Sequence, residues 1–197
     1  MKSLEGSKTA ENLLKAYAGE SQARNKYEFF ADIAKQEGYI QVYDFFKKTA
    51  DNEKIHGKIF FNHLINGFSG SLPKTITITA DYTVGKGTTV QNLKESAQAE
   101  EKESKELYPL FAQIAKEEGY PEVATSFELI STIESSHQQR FLKFAENIEQ
   151  NQVFEKKESV FWVCTNCGFN HTGPNALDPC PVCSVPKDYA KVYILNY

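Results

Sequence analysis

No cysteine occurs before position 164 in this chain of 197 residues. All four, Cys164, Cys167, Cys180 and Cys183, fall within the last 34 positions as two Cys-x-x-Cys pairs. That distribution excludes a disulfide framework spread through the protein. It favours a metal site in a reducing, cytoplasmic compartment. Long apolar runs are missing too, so no segment is expected to cross a bilayer. The start, Met1-Lys-Ser-Leu-Glu-Gly-Ser, has no apolar stretch of the kind that leads a secreted chain. Excess positive charge is also lacking. The net charge is −4 and the basic residues are scattered, which leaves nucleic acid and anionic membranes as unexpected partners. No Gly-x-Gly-x-x-Gly is present to cradle a dinucleotide, so reducing equivalents would have to come from a partner protein.

What is present is an ordinary globular composition, 41% hydrophobic and 24% charged, long enough for one or two domains with a real core. Apolar residues recur at helical spacing from 8 to 37 (Leu13, Leu14, Tyr17, Phe29, Phe30, Ile33, Ala34), with Gly38 as a stop. A second helix is expected from 40 to 66. Residues 67 to 88 carry Gly, Ser, Pro and an alternating Thr75-Ile-Thr-Ile-Thr79, and read as a long connection with one extended piece. Two further helices follow over 89 to 118 and 121 to 149, with Pro121 suited to a first helical turn. Short links make each pair antiparallel, and the long middle segment fits a four-helix bundle with one crossover, as in ferritin-like folds. Residues 150 to 160 read as a polar linker. The remainder, 161 to 197, is too small for an unaided core and calls for a metal.

The chemistry lies in a duplication. Glu53-Lys-Ile-His56 and Glu134-Ser-Ser-His137 are Glu-x-x-His pairs 81 positions apart. At the same offset Ala31-Asp-Ile-Ala-Lys-Gln-Glu-Gly-Tyr39 recurs as Ala112-Gln-Ile-Ala-Lys-Glu-Glu-Gly-Tyr120, and Tyr27 as Tyr108. Glu20 and Glu100 precede the two pairs. Residues at i and i+3 share a helix face, so each pair can aim at one metal. One pair alone would read as a solvated charged face. Two, each with an upstream glutamate, form the carboxylate and imidazole box that suits two irons, or manganese.

The third helix departs from the first. Glu20 precedes Tyr27 by seven residues and Glu100 precedes Tyr108 by eight. One extra residue is the sequence trace of a π-bulge. Glu103 adds a spare carboxylate where the first half has Ala23, so a metal could change ligand there. Glu101 is the alternative register to Glu100, and Glu101, Glu103 and Glu106 could also be simply solvated. Tyr27 and Tyr108 are either core tyrosines or groups that hydrogen-bond the carboxylates and supply a proton. His63 reads as surface or packing, and His171 as solvated.

The two cysteine knuckles, twelve residues apart, close a tetrahedral four-thiolate site. Phe161-Trp162, Gly168, Phe169 and the Cys-Pro-x-Cys form of the second knuckle favour a rubredoxin-type iron, with structural zinc as the alternative.

Taken in order, Ala18-Gly-Glu-Ser-Gln-Ala-Arg24, Glu53/His56, Glu100/Glu103, Tyr108-Pro109, Glu134/His137 and the C-terminal knuckles resemble the rubrerythrin family over nearly the whole chain. The resemblance implies a mainly α protein, with a ferritin-like di-iron bundle over 1–149, a linker over 150–160 and a rubredoxin-like FeS4 domain over 161–197. It implies bridging roles for Glu53 and Glu134, and terminal carboxylates at Glu20, Glu100 and Glu103. His137 would be a permanent ligand, and His56 would exchange with Glu103. It further implies reduction of hydrogen peroxide to water in oxidative-stress defence, with electrons from a rubredoxin or an NAD(P)H-linked reductase. Head-to-tail dimers, or a higher homo-oligomer, would bring the FeS4 centre of one subunit near the di-iron site of another. Ala99 and Ser184 stand where the family often has glycine. Two other functions fit the same residues, a ferroxidase or a redox sensor with zinc in its knuckles.

Overall fold

The computed structural model describes residues 2–194, so the last three residues of the expected C-terminal domain lie outside it. Helix α1 spans Lys8–Gln36 and α2 spans Ile40–Gly67. After the crossover come α3 (Thr89–Lys102), a π turn (Glu103–Leu107), α4 (Tyr108–Glu117) and α5 (Pro121–Glu149). Helix α1 packs on α2, and α3 with α4 packs on α5. Strands β1 (Glu155–Cys164), β2 (Asn170–Asn175) and β3 (Ala190–Val192) form an antiparallel sheet in the order β2-β1-β3. No helix among the described residues is long and apolar enough to cross a membrane.

The repeated Glu-Gly-Tyr closes each half of the bundle. Gly38 and Gly119 adopt φ of +83° and +81°, a region glycine enters without steric cost. The following tyrosine N–H reaches back to Ala34 O at 2.8 Å and to Ala115 O at 2.7 Å, the Schellman pattern that satisfies the last carbonyls of a helix. The glutamate of each copy then caps the other half. Glu118 accepts from the Lys8 and Thr9 N–H groups at 2.9 and 2.8 Å, and Glu37 accepts from Thr89 N at 3.0 Å. Both carboxylates thus sit at helix N-termini, where free N–H groups and the helix dipole favour negative charge. One short motif therefore closes the C-termini of α1 and α4 and caps the N-termini of α1 and α3.

Two aromatic clusters share this approximate two-fold symmetry. Tyr27, Phe30, Phe46 and Phe141 form one, and Tyr108, Phe111, Phe127 and Phe60 form the other. Each residue of the first differs by 81 positions from its counterpart in the second. Each cluster borrows one phenylalanine from the opposite half, so neither half can bury its core alone.

Two expectations differ from the structure. Thr75–Thr79 has no strand partner among the described residues, although Ile76 and Ile78 are half-buried and Ile76 packs on the bundle core. Residues 155–160, read as linker, are the first half of β1, with Glu155 opposite Asn175 and Val160 opposite Gly173. A strand open on both faces needs no apolar alternation, so its polar residues concealed it.

The knuckles are built alike. Gly168 N donates to Cys164 O and Ser184 N to Cys180 O, both at 2.9 Å. Gly168 has φ +79° and Ser184 +59°, so the serine occupies left-handed backbone that favours glycine. Ser184→Gly should stabilise this domain by about 0.5 to 1 kcal/mol, after allowing for the entropy glycine loses on folding. Thermal loss of the thiolate absorption in the metal-loaded protein would measure it, and an unchanged or lower midpoint would show the strain to be absent.

Candidate metal centres

Six side chains from four helices meet between the two aromatic clusters. Glu20 comes from α1, Glu53 and His56 from α2, Glu100 from α3, and Glu134 and His137 from α5. All are buried, with Glu134 fully inaccessible. Their ligand atoms form two overlapping groups, Glu20/Glu53/His56/Glu134 and Glu53/Glu100/Glu134/His137, each within 4.8 Å.

The two shared glutamates span these groups. His56 Nδ1 lies 2.8 Å from Glu53 Oε2 and 2.9 Å from Glu134 Oε1. His137 Nδ1 lies 3.3 Å from Glu53 Oε1 and 2.9 Å from Glu134 Oε2. Each shared carboxylate therefore turns one oxygen to each histidine. Glu20 and Glu100 stand at the outer ends, 3.8 Å from His56 Nδ1 and 3.7 Å from His137 Nδ1.

These distances suit ion pairs, yet their directions do not suit hydrogen bonds. Both oxygens of Glu53 and of Glu134, Glu100 Oε2 and both Nδ1 atoms are buried without a hydrogen-bond partner. Orphaned groups of this kind are costly in a protein interior. A hard cation in each group would satisfy them together, so the donor set fits two irons.

Tyrosines support the outer glutamates crosswise. Tyr27 donates to Glu100 Oε1 and Tyr108 to Glu20 Oε1, each at 2.5 Å. Burial pushes both phenols well above their ordinary pKa, and nearby carboxylates reinforce that, so they remain donors. Each tyrosine serves the glutamate of the opposite half rather than the one upstream of it in sequence.

The π turn falls between Glu100 and Tyr108. Glu100 faces the interior, whereas Glu101 points outward and pairs with Lys105 at 2.5 Å. Glu103 stands apart from both ligand groups and borders a cavity lined by Lys15, Gly19, Tyr82, Lys102 and Leu107. His63 lies outside the centre, 2.9 Å from Ser126 Oγ. His171, expected to be solvated, has Nε2 2.9 Å from Asn175 O. Ser104 and Ser131, which contact the π turn, do not stand out in the sequence. The signal that could have found them is that, counted from the Tyr27/Tyr108 pair beyond the extra residue rather than from Glu20/Glu100 before it, their counterparts in the first half are Ala23 and Ala50.

Electrostatics match a site made for cations. Burial raises the Glu20, Glu100 and Glu103 carboxyls well above the usual range, and the charges of Glu53 and Glu134 add to it. Burial opposes charge on the histidines, but the carboxylates outweigh it and hold His56 at about 9 and His137 at about 12. Glu134 is pushed up by burial, yet the two histidines bring it to about 2. A pKa raised by folding stabilises the fold below its unfolded value, and that contribution is lost as pH climbs through the folded value. The contribution of His56 is thus lost between 6.5 and about 9, and the three glutamates act in the same direction from 4.5 upward. Glu134 acts oppositely, but only between about 2 and 4.5. Metal-free protein should therefore melt lower at pH 9 than at pH 6.5. Divalent cations should flatten that dependence by replacing the protons. A melting point that rises over the interval would contradict this.

The second centre gathers Cys164, Cys167, Cys180 and Cys183 within 4.8 Å. Cys164 and Cys183 sulfurs are 3.8 Å apart and Cys167 and Cys180 sulfurs 3.7 Å. A disulfide would require about 2.05 Å. A metal bound to four thiolates at about 2.3 Å sets neighbouring sulfurs about 3.8 Å apart, which these distances match. Trp162 is buried beneath the site and donates from Nε1 to Gly173 O at 3.0 Å.

A bundle enclosing paired Glu-x-x-His groups, joined to a four-thiolate knuckle domain, defines a ferritin-like di-iron protein with a rubredoxin-like domain. Known proteins agree. The Rubrerythrin family model matches residues 11–145, and the model of the rubrerythrin rubredoxin-like domain matches residues 162–189. A rubrerythrin of Clostridium perfringens is 46% identical over 198 residues, covering 100% of both chains. One of Nitratidesulfovibrio vulgaris is 43% identical, again over 100% of both. A structure of nigerythrin in a mixed-valence state superposes with a TM-score of 0.61 at 30% identity, covering 98% of this chain and 92% of that one. The chain belongs to the rubrerythrin family, whose members are in general oxidoreductases.

Proposed function

We propose that this protein reduces hydrogen peroxide to two waters, consuming two electrons and two protons, as an oxidative-stress defence in the cytoplasm. In this reading residues 1–149 form the reducing unit, 150–154 connect, and the sheet and knuckles from Glu155 onward carry electrons. The observation that carries it is the presence in one chain of a buried two-metal carboxylate site and a separate four-thiolate site. The carboxylate and histidine site would hold two irons, which would supply two electrons to the O–O bond, and the four cysteines would hold an iron that passes electrons one at a time. An iron-oxidising store has no need of that electron entry.

The residues divide the work. Glu53 and Glu134, common to both ligand groups, would hold both metals, Glu20 and Glu100 would each hold one, and His137 would be the permanent imidazole. His56 lies within its ligand group and Glu103 outside it, so Glu103 would be the reserve carboxylate able to take the place of His56. Tyr27 and Tyr108 hold protons at their hydroxyls against Glu100 and Glu20 and orient those carboxylates. The flanking aromatic clusters limit water and so strengthen these interactions.

Electrons come from a rubredoxin or an NAD(P)H-linked reductase. Asp188 of the small domain abuts Gly38, and Tyr39 stacks on Phe154, so that domain sits where α1 turns into α2. Glu53 lies 13 residues beyond Ile40, about 20 Å farther along α2. Electron tunnelling decays exponentially with distance. This separation therefore favours delivery from the FeS4 centre of a second, head-to-tail subunit in a homodimer or larger homo-oligomer. Steady-state peroxide consumption with a reductase and rubredoxin, set beside Fe(II) oxidation under air, tests the reading. Oxidation of Fe(II) outpacing peroxide reduction would favour ferroxidase instead.

A further inference from the structure

The π turn and Pro109 together leave Ser104 O without a backbone donor. Tyr108 N, which would serve Ser104 O in an α-helix, donates instead to Glu103 O. In π register the donor would be the next residue, and that is Pro109, which has no N–H. Ser104 is buried, so water does not readily take the donor's place. The Ser131 hydroxyl does, donating to Ser104 O at 2.8 Å from α5, three residues before Glu134. Ser104 Oγ in turn donates to Glu100 O at 2.7 Å and Glu101 O at 3.2 Å, on the preceding turn.

The duplication supplies an internal control. In the first half α1 runs without a π turn, and the counterparts of Ser104, Pro109 and Ser131 are Ala23, Glu28 and Ala50. Ala23 and Ala50 are buried as well, without hydroxyls. The two serines and the proline occur where the bulge occurs.

We propose that Ser131, acting with Ser104, is a positioning residue that fixes the π turn and so sets the placement of Glu103 beside the metal centre. Without its hydroxyl, the segment from Glu103 to Leu107 has no fixed register, and the reserve carboxylate loses its place. The link to metal rests on the di-iron reading, whereas the pinning of the turn does not.

The test uses full-length, iron-loaded protein. In Ser131→Ala, backbone amides of residues 103–108 should exchange with deuterium about 10-fold faster, while those of α2 keep their rates. One of the two bundle irons should pass to a ferrous chelator about 10-fold faster, the scale of losing a group that supports a metal ligand. Ser131→Thr, which keeps the oxygen, should restore both. Pro109→Ala in the Ser131→Ala background should restore slow exchange, because the new N–H can serve Ser104 O in π register. Wild-type exchange in Ser131→Ala, or a double variant that exchanges no more slowly than Ser131→Ala, would overturn the proposal. Should Ser131→Ala fail to fold, the double variant decides: folded with slow exchange supports the pin, and unfolded overturns it. Altered exchange with unchanged iron release would retain the pin and overturn its role toward the metal.

Discussion

Glu134→Ala should abolish peroxide turnover, by about 100-fold or more, while the visible spectrum of the thiolate site remains. Glu134 is fully buried and offers one oxygen to each histidine, so its loss removes a donor from both ligand groups at once. Removing a residue that merely supports a metal ligand costs about 10 to 100-fold, and a shared ligand should cost more. Alanine also leaves a cavity and takes from each imidazole a carboxylate oxygen 2.9 Å away. The thiolate centre survives because Cys164 to Cys183 are held by their own knuckles and sheet. Activity assay and absorption spectrum on one sample check both halves of this. Near-normal turnover would remove Glu134 from the site.

Cys180→Ala should produce the complementary loss. Three thiolates cannot close the tetrahedron, so the rubredoxin-type absorption should disappear. The small sheet, which has little apolar core, should lose order with it. Reductase-driven turnover should then fall by about 100-fold, because the electron entry is gone. A single reoxidation of chemically reduced bundle iron by peroxide should proceed near the wild-type rate. This separation is the sharpest consequence of placing the two centres in different parts of the chain. If reductase-driven turnover persists, electrons reach the bundle directly, and the FeS4 domain has another purpose.

Much of this architecture is readable because the chain states it twice. The recurrence of Glu-x-x-His, Glu-Gly-Tyr and tyrosine at a constant offset requires four helices around a common centre. The change from seven residues to eight between glutamate and tyrosine marks the position of the π turn in the sequence itself. Contacts between halves are not readable. That Tyr27 supports Glu100 and Tyr108 supports Glu20 depends on how helices cross, which spacing within one helix does not encode. The capping by Glu37 and Glu118 is hidden for the same reason, although both lie inside the repeat. Ser104 and Ser131 escape notice because serine carries no strong pattern. Their meaning appears only when the two halves are compared position by position. The polar start of β1 looks like linker because a small sheet exposed on both sides lacks the alternation that marks a half-buried strand.

The central claim is that this chain is a peroxide reductase supplied through its own thiolate iron. Stopped-flow absorption of anaerobically reduced protein, mixed with stoichiometric hydrogen peroxide and separately with dioxygen, tests it most directly, with metals quantified on the same sample. Iron is expected at both centres, with fast return of the di-iron and thiolate-iron bands with peroxide, far faster than with dioxygen. Faster oxidation by dioxygen, or zinc in the knuckles, would contradict it.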